Sequence, residues 1–214
     1  MDILAQNPLD KRFRGYLPVV IDIETAGFNP KKNALLEIAA VIVELDDQGD
    51  LAITERYSTH VVPFKNSELD DAALKFNGID PHHPFRMAIE EKDALHLLFK
   101  PIKEAVKRNE CTRAILVGHN PAFDIGFLNA AISRTQTKRS PFHPFSTFDT
   151  ATLGGLMYQQ TVLAKIAQAA GIDWDNEKAH SALYDAEKTA EIFCKIVNRW
   201  KRLDALAGES IETA

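Results

Sequence analysis

The chain has 214 residues, 45% apolar and 26% charged, the balance of a soluble globular protein long enough for a sizeable core. Its formal net charge of −5 argues against a protein that coats nucleic acid through overall basicity, although local basic clusters exist. Cys111 and Cys194 fall in no metal-type spacing and form no disulfide framework, so a reducing cytoplasm is the expected setting. The opening MDILAQNPLDKRFRG lacks an apolar core segment, and the longest apolar run, ALLEIAAVIVEL, is interrupted by Glu37. Neither a secretory leader nor a membrane span is expected.

In chain order, Tyr16 to Ile23 reads as a first strand and Ala34 to Asp46 as a second, buried enough to show little alternation. Ala52 to Pro63 alternates more openly and reads as a third strand, closer to an edge. The short DDQGD connection suits an antiparallel hairpin. Glu68 to Phe76 is a short helix stopped by Asn77-Gly78, and Ala88 to Asn109 a long one. Arg113 to Asn120 is a further buried strand, followed by a helix from Pro121 to Arg134. FSTFDT gives a brief strand, and helices follow over Ala151 to Tyr158 and Val162 to Ala170. A last helix starts near Ser181, a good N-cap, and runs past Trp200. Its residues Leu183, Ala186, Ala190, Phe193, Val197 and Trp200 step by three and four, predicting one buried face. This order implies an α/β fold: a mixed sheet, antiparallel in its first three strands and parallel thereafter, flanked by helices. Ligand sites in such sheets lie at the carboxyl ends of strands. The chain is expected to divide into a leader over 1–15, a domain over 16–207 and a tail over 208–214.

Asp22 and Glu24 are two residues apart on a strand and therefore share a face. Two like charges held close together are costly unless a divalent cation joins them. Asp124 lies just beyond another buried strand. His180 precedes the last helix and Asp185 lies in its first turns, while Asp149 ends a strand. Four carboxylates offer only hard oxygen ligands, which select Mg²⁺ or Mn²⁺ over zinc, and two such ions balance four charges. That is the pattern of two-metal phosphoryl displacement. His180, with an ordinary pKa of about 6.5, suits proton removal from water at neutral pH. Asp149 reads better as a helix cap than as support for the metals.

The segments DIET, HNPAFD and HSALYD resemble the three motifs of the DEDD superfamily of exonucleases, in the subclass with a His five residues before the last Asp. Nearly the whole chain is similar, through RFRG, ALLEIAA, FNGIDP, PFHPFSTFDTA and FCKIVNRWKRL. The match is closer to the subclass's bacterial ribonucleases than to polymerase proofreading subunits or oligoribonuclease. The resemblance implies a ribonuclease H-like fold and 3′→5′ exonuclease activity with two Mg²⁺. It implies Asp22, Glu24, Asp124 and Asp185 as metal ligands and His180 as general base. It also leads one to expect an acid where Ala72 stands, one turn before Phe76; Asp70 and Asp71 lie nearby.

Phe28, Phe76, Phe123 and Phe145 each sit beside a motif rather than in a periodic apolar face. Rings so placed can stack on unpaired bases, at about 1–3 kcal/mol per base. By resemblance they wedge the 3′-terminal bases; core packing is the competing role, strongest for Phe123. Basic residues cluster as Lys11, Arg12 and Arg14, then Lys100, Lys103, Lys107, Arg108 and Arg113, then Arg134, Lys138 and Arg139. Arg12, Arg14, Lys107, Arg113, Lys138 and Arg139 are candidates for tracking an RNA backbone. The resemblance implies a homodimer in which one subunit's basic surface serves the other's active site. The expected activity is trimming of short single-stranded 3′ ends of structured RNAs such as tRNA. A DNA exonuclease and an inactive nucleic-acid-binding module are the alternatives.

Overall fold

The computed structural model describes residues 9–207. The first eight residues of the expected leader and the whole of the expected 208–214 tail lie outside them. Five strands form one sheet in the order β3-β2-β1-β4-β5: β1 (Tyr16–Thr25), β2 (Leu35–Leu45), β3 (Leu51–His60), β4 (Arg113–Gly118) and β5 (Phe142–Asp149). β1, β2 and β3 pair antiparallel, whereas β1 and β4, and β4 and β5, pair parallel. This is the mixed arrangement expected from the sequence.

Six α-helices lie among the described residues, besides two short 3₁₀ turns: α1 (Asp71–Asn77), α2 (Glu91–Arg108), α3 (Ala122–Thr135), α4 (Thr150–Tyr158), α5 (Leu163–Ala169) and α6 (Ala182–Ala207). β2 is buried at nine consecutive positions, so both of its faces are covered. α6 packs across β1, β2 and β3, while α2 meets those strands and β4 and also touches α3. The largest fully buried side chains, among them Phe127, Phe193, Leu17, Ile21 and Leu116, fill the space between these layers. Burial of this apolar area is the main stabilising term.

Three element boundaries and one burial differ from expectation. α1 starts at Asp71 because the Asp70 carboxylate caps it, accepting from Ala72 and Ala73 N–H; Gly78, in the left-handed region, ends it. α2 starts at Glu91 rather than Ala88. Ile89 is extended, giving its N–H to His60 O and taking the Val62 N–H, so it is unavailable to a helix. β5 begins at Phe142, earlier than FSTFDT, and tolerates Pro144 because it is an edge strand. Trp200, expected on the buried face of α6, is 51% exposed.

Parallel pairing brings the carboxyl ends of β1, β4 and β5 to one edge of the sheet, and β3, twice antiparallel, ends there too. The β2–β3 hairpin, the α2–β4 turn and the loop before β5 lie at the opposite edge. Eight residues along β1 separate the two edges, about 25 Å of extended chain.

Candidate active site

The carboxyl-end edge gathers the acidic residues. β1 turns Ile21 and Ile23 into the core and Asp22 and Glu24 onto the other face, both half-buried. A register shift after Glu24 ends the regular ladder, and the Asn77 side chain crosses from α1 to donate to Thr25 O at 3.0 Å. Asp124 sits in the first turn of α3, 4% exposed, with its carboxylate above Gly118. A Cβ at Gly118 would lie 3.1 Å from Pro121 and 3.4 Å from Asp124 Oδ2, so any side chain there would press on the start of α3. Asp185 lies in the first turn of α6, and its Oδ2 accepts the His180 N–H at 3.2 Å.

His180 adopts φ +67°, a left-handed conformation uncommon for a residue with a side chain. Donor atoms of Glu24, His180 and Asp185 lie within 4.8 Å of one another, which is close enough for one cation. Asp22 and Asp124 stand outside that trio but bear on it electrostatically. Burial pushes the Asp22 carboxyl well up, with Asp124, Asp185, Glu24 and Glu37 adding to it. Burial, then Asp185 and Glu37, push Glu24 up to about 8 against a hydrogen bond from Asn77. Asp124 is pushed up to about 7, mainly by burial. Asp185 is raised by burial, with the His180 N–H and ring opposing.

Such a cluster holds protons only for want of a stronger positive charge. One observation fits a divalent cation directly: Asp185 Oδ1 is buried with no hydrogen-bond partner among the described residues. An acceptor left open beside two other ligating groups, in an all-oxygen set plus one imidazole, suits a hard divalent ion.

Three of the four phenylalanines are exposed and one is not. Phe28 is 85% exposed on a turn held rigidly: Asn33 Oδ1 accepts the Asn29 N–H at 2.9 Å, and Asn33 Nδ2 donates to Glu68 O at 3.2 Å. Phe76 lies with its ring centroid 4.4 Å from that of His180. Phe123 is half-buried, packing on Phe127 at 5.0 Å while its edge meets Phe28 at 6.1 Å. Its contact with buried Phe127 is the core packing weighed for it, and its contact with Phe28 adds a wall behind that exposed ring. Phe145 is exposed on β5 and its ring meets His143. Nothing in these contacts joins it to the acids.

The basic candidates lie at the other edge. Tyr16 pairs with Arg113, Ala114 N–H donates to Pro141 O, and Thr112 N–H donates to Gly15 O. These bonds gather Arg14, Arg113 and the Lys138–Arg139 loop, with Lys107 near the end of α2 and Arg12 beside Asp50 of the hairpin. All but Arg12 are exposed. None is beside Asp22, Glu24, Asp124 or Asp185 of its own chain. Two further basic residues of these clusters are engaged structurally: Arg108 pairs with Glu44 and Glu55, and Arg134 with Glu91 and Pro30 O.

Asp149 caps α4, accepting from Ala151 and Thr152 N–H and from the Thr152 hydroxyl. It also accepts the Asn120 N–H at 3.0 Å, which braces the turn leading to Asp124. These bonds hold its carboxyl below the usual range against the effect of burial. Ala72 is exposed on α1, and the neighbouring Asp70 is committed to its cap. Sequence reasoning missed two groups that the structure places at the acids: Asn77 and Glu37. Asn77 served in the sequence only as a stop signal. Glu37 had a signal, a lone charge inside an otherwise apolar buried strand.

Fold and site together define a DEDD-type exonuclease, a class dependent on divalent metal. A family model described as exonuclease matches residues 19–193. Ribonuclease T of Shewanella sp. (strain W3-18-1) is 57% identical over 202 residues, covering 94% of this chain and 91% of that protein. Ribonuclease T of Shewanella putrefaciens (strain CN-32 / ATCC BAA-453) is also 57% identical, covering 94% of this chain and 90% of that protein. Among solved structures, the nuclease domain of 3′hExo, a DEDDh family member bound to rAMP, aligns with TM-score 0.64 and 21% identity. It covers 85% of this chain and 92% of that one. E. coli exonuclease I in complex with a dT13 oligonucleotide aligns with TM-score 0.65 and 16% identity. The alignment covers 89% of this chain but 43% of exonuclease I, so the chain spans less than half of that enzyme. These two structures speak for the ribonuclease H-like fold alone. The chain belongs to the exonuclease family and, within it, to the ribonuclease T group of DEDDh 3′–5′ exonucleases.

Proposed function

We propose that this 3′–5′ exoribonuclease trims short single-stranded 3′ ends of structured RNAs, in tRNA end turnover and the 3′ maturation of stable RNAs, releasing 5′-monophosphates. The observation that carries this is the convergence of Glu24, His180 and Asp185 within 4.8 Å, with the Phe76 ring against His180. Among the described residues no helix is long and apolar enough to cross a membrane. Both cysteines, Cys111 and Cys194, are free, which suits the reducing cytoplasmic setting expected for the protein.

Asp22, Glu24, Asp124 and Asp185 would hold two Mg²⁺, for which Mn²⁺ can substitute. Bound there, the ions supply the positive charge that draws the scissile phosphate in and make water more acidic. The protein's own groups do the rest. His180 accepts the proton of the attacking water at a ring nitrogen, and the Asp185 carboxylate fixes the backbone that presents it. Phe28 and Phe76 are exposed rings beside the acids and stack on the terminal bases, with Phe123 behind Phe28 and Phe145 as a further candidate. A buried like-charged cluster accepts a chain end threaded between such rings more readily than the middle of a duplex. That supports action on single-stranded ends.

Arg12, Arg14, Lys107, Arg113, Lys138 and Arg139 stand at the far edge of the sheet. They are best used by a homodimer, in which one subunit's basic edge holds the RNA entering its partner's site. The identity to ribonucleases favours RNA over DNA, and an inactive binder would have no use for the full set of acids and His180. Product mapping on a tRNA with its natural 3′ tail tests this reading. With Mg²⁺ the tail shortens one nucleotide at a time and stops near the duplex. With EDTA, or with a 3′ phosphate, it does not shorten. Cleavage of circular RNA, or faster loss of matched single-stranded DNA, would overturn the proposal.

A further inference from the structure

Arg134, in the last turn of α3, belongs by sequence to a basic cluster yet is drawn inward. Its side chain is 22% exposed, and that of Glu91, in the first turn of α2, is 6% exposed. The two meet as a fork: Nε donates to Glu91 Oε2 at 3.0 Å and Nη2 to Oε1 at 2.6 Å. Nη1 then donates to Pro30 O at 2.7 Å, and the guanidinium carbon lies 4.1 Å from the Phe64 ring centroid. A planar cation paired on one side with a buried carboxylate has little freedom, so its third nitrogen is a fixed anchor.

Pro30 is two residues from Phe28. The turn that carries both is closed by its own bonds: Lys32 and Asn33 N–H donate to Asn29 O, and Asn33 Oδ1 accepts the Asn29 N–H. Those bonds fix its shape but not where it stands against the rest of the protein. On one side it is tied to the segment before α1, through Asn33 Nδ2 on Glu68 O and the Glu68 N–H on Lys32 O. On the other side it rests on α3. Phe28 meets Phe123 there, Pro30 sits over Gly126, where a Cβ would lie 3.9 Å from Pro30 Cγ, and Pro30 O accepts from Arg134. The first two contacts are apolar and can slide. The third is directional.

We propose that Arg134, held by Glu91, is a positioning residue for recognition of the 3′ end: it seats the 28–33 turn on α3 and so sets where the Phe28 ring meets the terminal base. In this role neither Arg134 nor Glu91 touches the nucleic acid. The inference rests on the stacking role given above to Phe28.

Arg134→Met with Glu91→Gln removes both charges at once, so neither is left buried alone. Arg134→Lys keeps a charge on Glu91 but lacks the fork that also reaches Pro30 O, and it decides the question should the paired variant not fold. Both are compared with Phe28→Ala, and with Phe28→Ala added to each, on single-stranded RNAs that differ in their 3′-terminal bases. In the paired variant and in Arg134→Lys, KM rises about threefold or more while kcat stays within about twofold. Preference among the ends shifts in the direction that Phe28→Ala shifts it. Added to Phe28→Ala, the same changes alter kcat/KM by less than about twofold, because the ring they place is gone. Parental KM and end preference, a fall in kcat alone, or full additivity with Phe28→Ala overturns the proposal. Phe28→Ala with parental KM and end preference instead removes the stacking reading, and the proposal falls with it.

Discussion

With divalent cations removed by EDTA, raising the pH from about 5.5 to about 7 should destabilise the protein, because the folded acid cluster holds protons that the unfolded chain has released. Glu24 is raised to about 8 and Asp124 to about 7, from ordinary values of 4.5 and 3.8. Between those limits the folded chain keeps protons that the unfolded chain has released. The stabilisation is thus complete below the unfolded values and is lost as pH rises through the folded ones. One retained proton for the whole cluster changes stability by about 1.4 kcal/mol per pH unit, or about 2 kcal/mol across this window. For a domain of this size that is a fall in Tm of roughly 4–8 °C. Thermal melts in EDTA at the two pH values measure it, with Glu24→Gln as the control that should flatten the slope. Added Mg²⁺ replaces the protons, so its stabilising shift should be larger at the higher pH. A metal-free Tm that is flat or rises across the window, or an equal Mg²⁺ shift at both ends, refutes the reasoning.

Asp22→Asn should lower turnover of a 3′-labelled strand by more than about 100-fold. Its metal-free Tm near neutral pH should match or exceed the parent's, because a buried, mutually repelling carboxyl has gone. Phe28→Ala should weaken binding and alter preference among 3′-end sequences by up to the roughly 1–3 kcal/mol of one stacked base. Mg²⁺ affinity and Tm should barely change, since the ring is 85% exposed; competition between oligonucleotides of different 3′ ends reads this out. Asp149→Ala should cost about 1–2 kcal/mol as a lost N-cap. Melting should show that loss, with activity falling far less than in Asp22→Asn.

The strands and their pairing sense were legible because β2 and β4 are long apolar runs, and because short links force antiparallel neighbours while helices force parallel ones. The candidate site was legible for a related reason. Asp22, Glu24, Asp124, Asp149 and Asp185 all sit where a strand ends or a helix starts, and a parallel sheet gathers such positions to one edge. The misplaced boundaries share a cause that no local pattern carries. Ile89 is drawn out of α2 by His60 and Val62, residues about thirty positions away in the chain. Trp200 fits the helical repeat of α6 yet stays exposed, because periodicity shows which side faces the sheet but not where the sheet stops.

Glu37 and the basic clusters show two different limits. The six basic residues could be counted in the sequence, but their distance from the acids depends on the direction of every strand at once. Once β1 and β4 run parallel from Tyr16 and Arg113, those residues must lie a full strand length from Glu24. Whatever they hold, it is not the nucleotide in their own site. Glu37 is the converse case. A single charge in an apolar run is as readily a local flaw as a functional group, and only register separates the two. Opposite Glu24 in the register, its charge adds to those that push the Asp22 and Glu24 carboxyls up.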